Sequence, residues 1–258
     1  MIEALARNRI NVNVGDGVLP IDAVSLDWVL DWVLRDRPAS WDIAVTPNLH
    51  HLRIALESPT VRERYSRSSL SLADGWPVAW LGSRVSGSQV NRLSGADLFQ
   101  QLIAEAGRGR RLVLVGGDPG PELNGLVTRC TVNGWLVSTE PAPRDELTDR
   151  CRRQALLRRI SQNGRGGIVV VGVGAPRQEE LAEEIAATPG SGVILCLGMS
   201  INFSSGSARR APRVIQSLHL EWAFRALQEP KRLLSRYIAD GAVLLRLARQ
   251  NPRAHRGC

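Results

Sequence analysis

Asp74 is the residue best placed for acid–base chemistry. It lies in the stretch Ser71-Leu-Ala-Asp-Gly-Trp-Pro-Val-Ala-Trp80. Leu70 to Ala73 reads as the end of a short apolar strand, and Gly75 and Pro77 then force a tight change of direction. Open parallel sheets place their ligands at the carboxyl ends of strands. A carboxylate at such a rim can take the proton of an incoming hydroxyl. The competing role is an Asx bond that caps the turn, and for this decapeptide alone the cap is the commoner use. Gly116-Gly117 and Gly172-Val-Gly174 mark two more loops where strands meet helices. Glycine there lets backbone amides approach a phosphate, and the following helix N-terminus favours the anion.

Several other chemistries lack their residues. GVGAPR at 172–177 has no third glycine of a dinucleotide fingerprint, and no GxxxxGK[ST] motif occurs. An Asp-x-Asp pair near a strand end is also missing, so a divalent-metal clamp on a diphosphate has no evident ligands. His50 and His51 carry no HExxH pattern, and Cys130, Cys151, Cys196 and Cys258 form no CxxC pair. Neither a metal site nor a cofactor is expected. Any diphosphate bound here would need arginine forks and helix N-termini to offset its charge.

The elements that position these residues alternate. Ile10 to Val14 reads as a strand turned by Gly15-Asp16-Gly17, and Ser25 caps a helix carrying Trp28 and Trp32 on one face. Ile43 to Asn48 is a strand stopped by Pro47, which leaves Thr46 and Asn48 at its carboxyl end. Ser94 caps a helix to about Ala106, with Asp97 as a favourable first-turn charge. Arg111–Gly117, Gly167–Gly174 and Val193–Gly198 are apolar strands, with helices near 120–131 and 146–162, a weaker strand near 135–138 and a helix from Pro176. Continuously apolar strands alternating with helices predict an α/β fold: a mostly parallel sheet with helices on both faces. After Gly206 the pattern becomes helical, with Pro212 opening one helix and Pro230 separating a second. The division expected is a catalytic core over 1–206 and a helical, basic appendage over 207–258.

Charge supports that division. The chain carries a net +8, and residues 209–258 hold eleven Arg and Lys against Glu221, Glu229 and Asp240, which accounts for the whole excess. An anionic partner for this segment is the reading that follows, whether lipid headgroups, a phosphorylated substrate or nucleic acid. A solvated basic helix is the plainer alternative. Leu234, Ile238, Leu245 and Ala248 form one apolar stripe on the second helix, suited to a membrane surface or to core packing. No apolar run approaches the roughly 18 residues of a membrane span. The N-terminus does not read as a signal peptide, and free thiols suit a reducing compartment, so the cytoplasm is the expected location.

Six motifs occur in a fixed order: TPN at 46–48, ADGWPV at 73–78, RxxGADL at 92–98, GVGAPRQE at 172–179, RAP at 210–212 and LEWAFRALQEPKRLLSRY at 220–237. Together they resemble the WecG/TagA/CpsF family of bacterial glycosyltransferases, glycosyltransferase family 26, over about residues 10 to 240. The resemblance implies inverting transfer, without a metal, from a UDP-sugar to a sugar carried on a polyprenyl diphosphate. It places that reaction at the inner face of the plasma membrane, in the synthesis of teichoic acid or other surface polysaccharides. By position, Asp74 matches the general base and Thr46 a threonine facing the donor. Arg92 and Gln178 match polar residues of the active site, and Asn48 is their inferred neighbour. Arg225 and Arg232 match appendage arginines that reach the diphosphate. Ser235 stands where the family often has a further arginine, and Arg236 is its candidate replacement. The amides near Gly172 and Gly174 are further candidate phosphate contacts. An anionic membrane surface and self-association are also implied.

Two rival classes fit the sequence less well. A nucleotide-binding regulatory or NAD-type domain with a basic tail has the incomplete glycine pattern against it. A nucleic-acid binder has only three Phe and two Tyr to offer and no recognised motif, so no nucleic-acid partner is expected.

Overall fold

A computed structural model of the chain describes residues 7–37, 39–212, 214–215, 221–228 and 230–254. The first unit is an antiparallel hairpin of β1 (Asn8–Val14) and β2 (Gly17–Ala23), paired from Asn8↔Ala23 to Val14↔Gly17. Gly15 sits at the first turn position with φ 68°, a conformation that suits a two-residue hairpin loop and that glycine adopts without steric cost. Helix α1 (Leu26–Leu34) follows, capped by the Ser25 hydroxyl as expected.

Six strands then form one parallel sheet: β3 (Trp41–Val45), β4 (Leu70–Ser71), β5 (Arg111–Val115), β6 (Leu136–Glu140), β7 (Gly167–Val171) and β8 (Gly192–Cys196). Their order across the sheet is β4-β3-β8-β7-β5-β6. The register aligns Val45 with both Ser71 and Cys196, Cys196 with Val171, and Val171 with Val115. All the loops singled out in the sequence therefore open onto one rim.

Alternation along each strand divides the core into two layers. Val113, Val115, Val169, Val171, Ile194 and Cys196 face one side, and Leu112, Leu114, Ile168, Val170, Val193 and Leu195 face the other. The first side packs the hairpin with α2 (Leu49–Glu57), α3 (Pro59–Ser66), α4 (Trp76–Ser86), α8 (Arg150–Gly164) and α9 (Arg177–Ala186). The second packs α1 with α5 (Gly95–Ala104) and α6 (Pro121–Val132). This is the expected doubly covered parallel sheet. Short helices α7 (Arg144–Thr148) and α10 (Ser200–Ser205) complete this part of the chain.

The structure differs from the sequence reading in detail. One helix expected near 146–162 is two, divided where Asp149 caps α8. Helix α2, which Asn48 caps, ends at Ser58-Pro59, because proline supplies no amide and starts α3. Strand β4 is only two residues long. It is held by Asp22 of the hairpin, whose Oδ2 accepts the Ser71 amide at 2.8 Å while Arg7 and Arg9 clasp the same carboxylate. Burial pushes Asp22 upward, but the bonds from Arg9, Arg7 and Ser71 outweigh it and hold the group below its ordinary pKa. The hairpin thus fixes the strand that delivers Asp74.

At the C-terminal end, α11 (Glu221–Gln228) and α12 (Pro230–Gln250) meet at Pro230, as the sequence led one to expect. The second half of α12 packs on the core, with Leu247 fully buried there. Asn251 trades hydrogen bonds with the Asn13 backbone, and Asp240 pairs with Arg53 of α2 at 2.8 Å.

Candidate active site

Asp74 follows β4 at the sheet rim. Its amide donates to the Pro47 carbonyl at 3.0 Å, which ties this loop to the one carrying Thr46 and Asn48. Gly75, at φ 92°, then caps α4 with no side-chain bond. The Asp74 carboxylate makes no hydrogen bond to any described residue, so it does not cap the turn. It is half-buried by surface area, yet protein surrounds it densely. Burial raises its pKa from the ordinary 3.8 to about 7, with further upward pressure from Glu221 and Asp97 and opposition from Arg92 and Arg210. A carboxyl group poised near neutrality, without a hydrogen-bond partner among the described residues and open to a rim, is equipped to accept a proton.

Four charged residues surround it. The Leu93 amide donates to the Ala73 carbonyl at 2.9 Å and brings Arg92 alongside. Arg92 reaches Glu221 at 3.4 Å and Asp97 at 3.9 Å. Arg210 donates to Asp97 at 2.6 Å, to the Ser94 hydroxyl at 3.2 Å and to Glu221 at 3.2 Å. Ser94 caps α5 through the Asp97 amide and also donates to the Asp97 carboxylate at 2.6 Å. Burial pushes Asp97 up, but Arg210 and Ser94 hold it below its ordinary value. The sequence reading had Arg92 in the site but missed Arg210 and Glu221, and saw Asp97 only as a helix-start charge. All three lie in quoted motifs. No periodicity joins positions more than a hundred residues apart, so only the folded chain shows that they meet.

The remaining expected residues fall at the same rim in different states. Thr46 is buried, and its hydroxyl donates to the Cys196 carbonyl at 3.0 Å, tying the end of β3 to that of β8. Asn48 caps α2 through the amides of His50 and His51, while His51 Nδ1 accepts the Asn48 amide. Gln178 is buried: its Oε1 accepts the Gly198 amide at 3.0 Å and its Nε2 donates to Glu179 at 2.7 Å. It therefore holds the loop after β8, and its reach to a ligand runs through that loop. The Gly172 amide donates to the Val115 carbonyl at 2.8 Å and is engaged in the sheet. A Cβ on Gly172 would lie 2.7 Å from the Gly198 carbonyl oxygen, so this glycine serves close packing of two rim loops. Gly174, at φ 81°, has open space around it and begins the turn into α9. The side chains of Arg225, Arg232 and Arg236 lie outside the described residues; their backbones belong to α11 and α12.

Trp76 and Trp80 stand one helical turn apart on α4, both exposed, with the Arg84 guanidinium 5.5 Å from the Trp80 ring centre. Among the described residues, no group of three His, Cys, Asp or Glu is placed to hold a metal ion, and no helix is long and apolar enough to cross a membrane.

The rim of this parallel sheet gathers the Asp74 carboxylate, which has no hydrogen bond among the described residues, with Arg92, Arg210 and glycine loops, at the edge where such sheets bind ligands. The sequence model of the glycosyl transferase WecG/TagA/CpsF family matches residues 16–257, nearly the whole chain. The chain belongs to this family and is a glycosyltransferase of that type.

Proposed function

We propose that the protein transfers a sugar, with inversion and without a metal, from a UDP-sugar to a hydroxyl of a polyprenyl-diphosphate-linked sugar. N-acetylmannosamine-type sugars and other hexoses are the donor classes to test. The observation that carries this reading is Asp74: a carboxyl group with a pKa of about 7, no hydrogen bond among the described residues, and two arginines beside it. In the proposed step the acceptor oxygen attacks the anomeric carbon as its proton passes to Asp74. The bond from that carbon to the diphosphate oxygen breaks, and UDP leaves with the bonding pair. Arg92, the appendage arginines Arg225, Arg232 and Arg236, and the Gly174 amide are assigned to the charge that develops on the leaving group. Thr46 and Asn48 line the donor side, and Gln178 acts through the Gly198 loop.

The reaction is assigned to the inner face of the plasma membrane. Residues 207–258 form the functional appendage in this proposal, and its excess positive charge supports contact with anionic lipid, each basic residue contributing about 1 kcal/mol near such a surface. Trp76, Trp80, Ile238 and Leu245 are exposed apolar groups on α4 and α12, helices that meet where Arg84 binds the Asn251 carbonyl. They supply candidate side chains for the interface. The test is a panel of UDP-sugars offered with short-chain lipid diphosphate–sugar acceptors, with EDTA present, read by mass spectrometry. One donor should yield a product heavier by one sugar. If no donor in the panel reacts in EDTA, yet turnover appears with added divalent metal, metal independence fails.

A further inference from the structure

Glu221 lies at the start of α11, remote in sequence from the rim, yet its two carboxylate oxygens are shared between two arginines. Arg210 Nε approaches Oε1 at 3.2 Å and Arg92 Nη1 approaches Oε2 at 3.4 Å. We propose that Glu221 is an internal stand-in for a phosphoryl group: it fills an anion seat formed by Arg92 and Arg210, which receives the donor's diphosphate once Glu221 withdraws. This makes Arg210 a diphosphate-binding residue, and it rests on the reading of this rim as the donor site.

Three features support exchange rather than a fixed strut. The first is that the seat does not depend on Glu221. Arg210 is anchored by Asp97 at 2.6 Å and by Ser94 at 3.2 Å, both on the start of α5, and Arg92 is placed by the Leu93–Ala73 backbone bond. The arginines therefore stay converged when the carboxylate leaves. The second is bond length. The contacts to Glu221 are long beside the Arg210–Asp97 bond, and charge-assisted bonds of this kind are normally about 2.7–2.9 Å. A phosphoryl group offers more oxygens and more charge to the same two guanidinium forks. The third is charge balance. With Asp74 protonated, Arg92 and Arg210 are matched by Asp97 and Glu221, so withdrawal of Glu221 leaves one positive charge uncompensated. An arriving diphosphate more than offsets that charge. It also renews the negative potential that Glu221 exerts on Asp74, so the base keeps its affinity for a proton while the donor is bound.

The sign of one binding change tests the idea. Inorganic pyrophosphate and UDP are each titrated calorimetrically into the full-length protein and its Glu221→Gln, Glu221→Ala and Arg210→Gln forms, with melting temperatures recorded alongside. If Glu221 competes for the seat, both Glu221 variants bind pyrophosphate about tenfold more tightly than the parent, a gain of about 1.4 kcal/mol. Arg210→Gln binds it at least as much more weakly, and UDP follows the same order. Equal or weaker binding by folded Glu221 variants makes the carboxylate a scaffold and overturns the proposal, as does unchanged binding by Arg210→Gln. The two readings separate cleanly. UDP binding with no gain in the Glu221 variants sinks the stand-in alone. Pyrophosphate binding in the expected order with no UDP binding keeps the seat and sinks the nucleotide reading.

Discussion

Asp74 gains its proposed role from its surroundings, since an aspartate at its ordinary pKa is a weak base at neutral pH. Burial lifts it to about 7, and the nearby negative charge of Glu221 adds to that. Two consequences follow at this scale. The base works only when ionised, so kcat/KM should rise across pH 6 to 8 with an apparent pKa near 7 and then level off. A flat profile between pH 5 and 9 would remove Asp74 as the base. The second concerns stability. The folded protein holds this proton more tightly than the unfolded chain, where the group titrates near 3.8. The stability linked to it is fully present below that value and is lost as pH rises through 7. Asp74→Asn should therefore raise Tm, and by more at pH 8 than at pH 5. Such stabilisation on loss of a functional group is the usual mark of a strained site. The sequence could place Asp74 at a strand end, but not its lack of a hydrogen bond among the described residues. That depends on Gly75 turning the chain and on neighbours drawn from four separate segments.

Among the elements, legibility followed local periodicity. Strands β7, β8 and, after Arg111, β5 are apolar and plain in the sequence, because both faces of a parallel sheet are covered. Strand β2 passed unread. Its run Gly17-Val-Leu-Pro-Ile-Asp-Ala23 carries a proline, which an edge position of a two-stranded sheet tolerates. Leu70 to Ala73 reads as the end of a short strand, and β4 covers only Leu70–Ser71, where Asp22 accepts the Ser71 amide and adds to a short ladder with β3. The glycines after β7 separate into two kinds, which their spacing alone did not reveal. Gly172→Ala would press a methyl group against the Gly198 carbonyl at 2.7 Å, a contact that backbone must move to relieve. It should cost about 1–3 kcal/mol of stability, with a loss of UDP affinity as the Gly198 loop is displaced. Gly174→Ala meets open space and bears only the strain of its positive φ, about 1–2 kcal/mol. Denaturant melts of both variants beside UDP titrations would separate them. Equal UDP binding in Gly172→Ala and the parent would show that the rim does not rely on that packing.

For the molecule as a whole, the helical pattern after Gly206 divides the chain there and charge supports the division, and the folded chain qualifies what that division means. Net charge marks where positive residues gather but carries no information on packing. Leu247 is buried among the core residues, Asp240 is bound to Arg53, and Asn251 is bonded to Asn13. The appendage proposed to complete the site is thus fastened to the core at its far end. Leu247→Ala should cost about 2–5 kcal/mol, visible as a lower Tm of the whole protein in a single transition. A separate early transition, with the core melting unchanged, would mean that the segment folds independently. Deletion after Gly206 removes core as well as appendage, so loss of activity in that form cannot be assigned to the site alone. Family membership was legible for a related reason: the six motifs mark rim loops and appendage, which the fold gathers from positions 46 to 237.

The central claim is that Asp74 receives the acceptor's proton while arginines steady the departing diphosphate. The most direct measurement is turnover by Asp74→Asn under saturating donor and acceptor, with UDP affinity determined on the same preparation. Asparagine keeps the shape of the side chain and loses its basicity. Turnover should fall by about 10²–10⁴-fold, the usual worth of a general base, with UDP affinity within about twofold of the parent. Near-normal turnover by a folded Asp74→Asn protein would contradict the account.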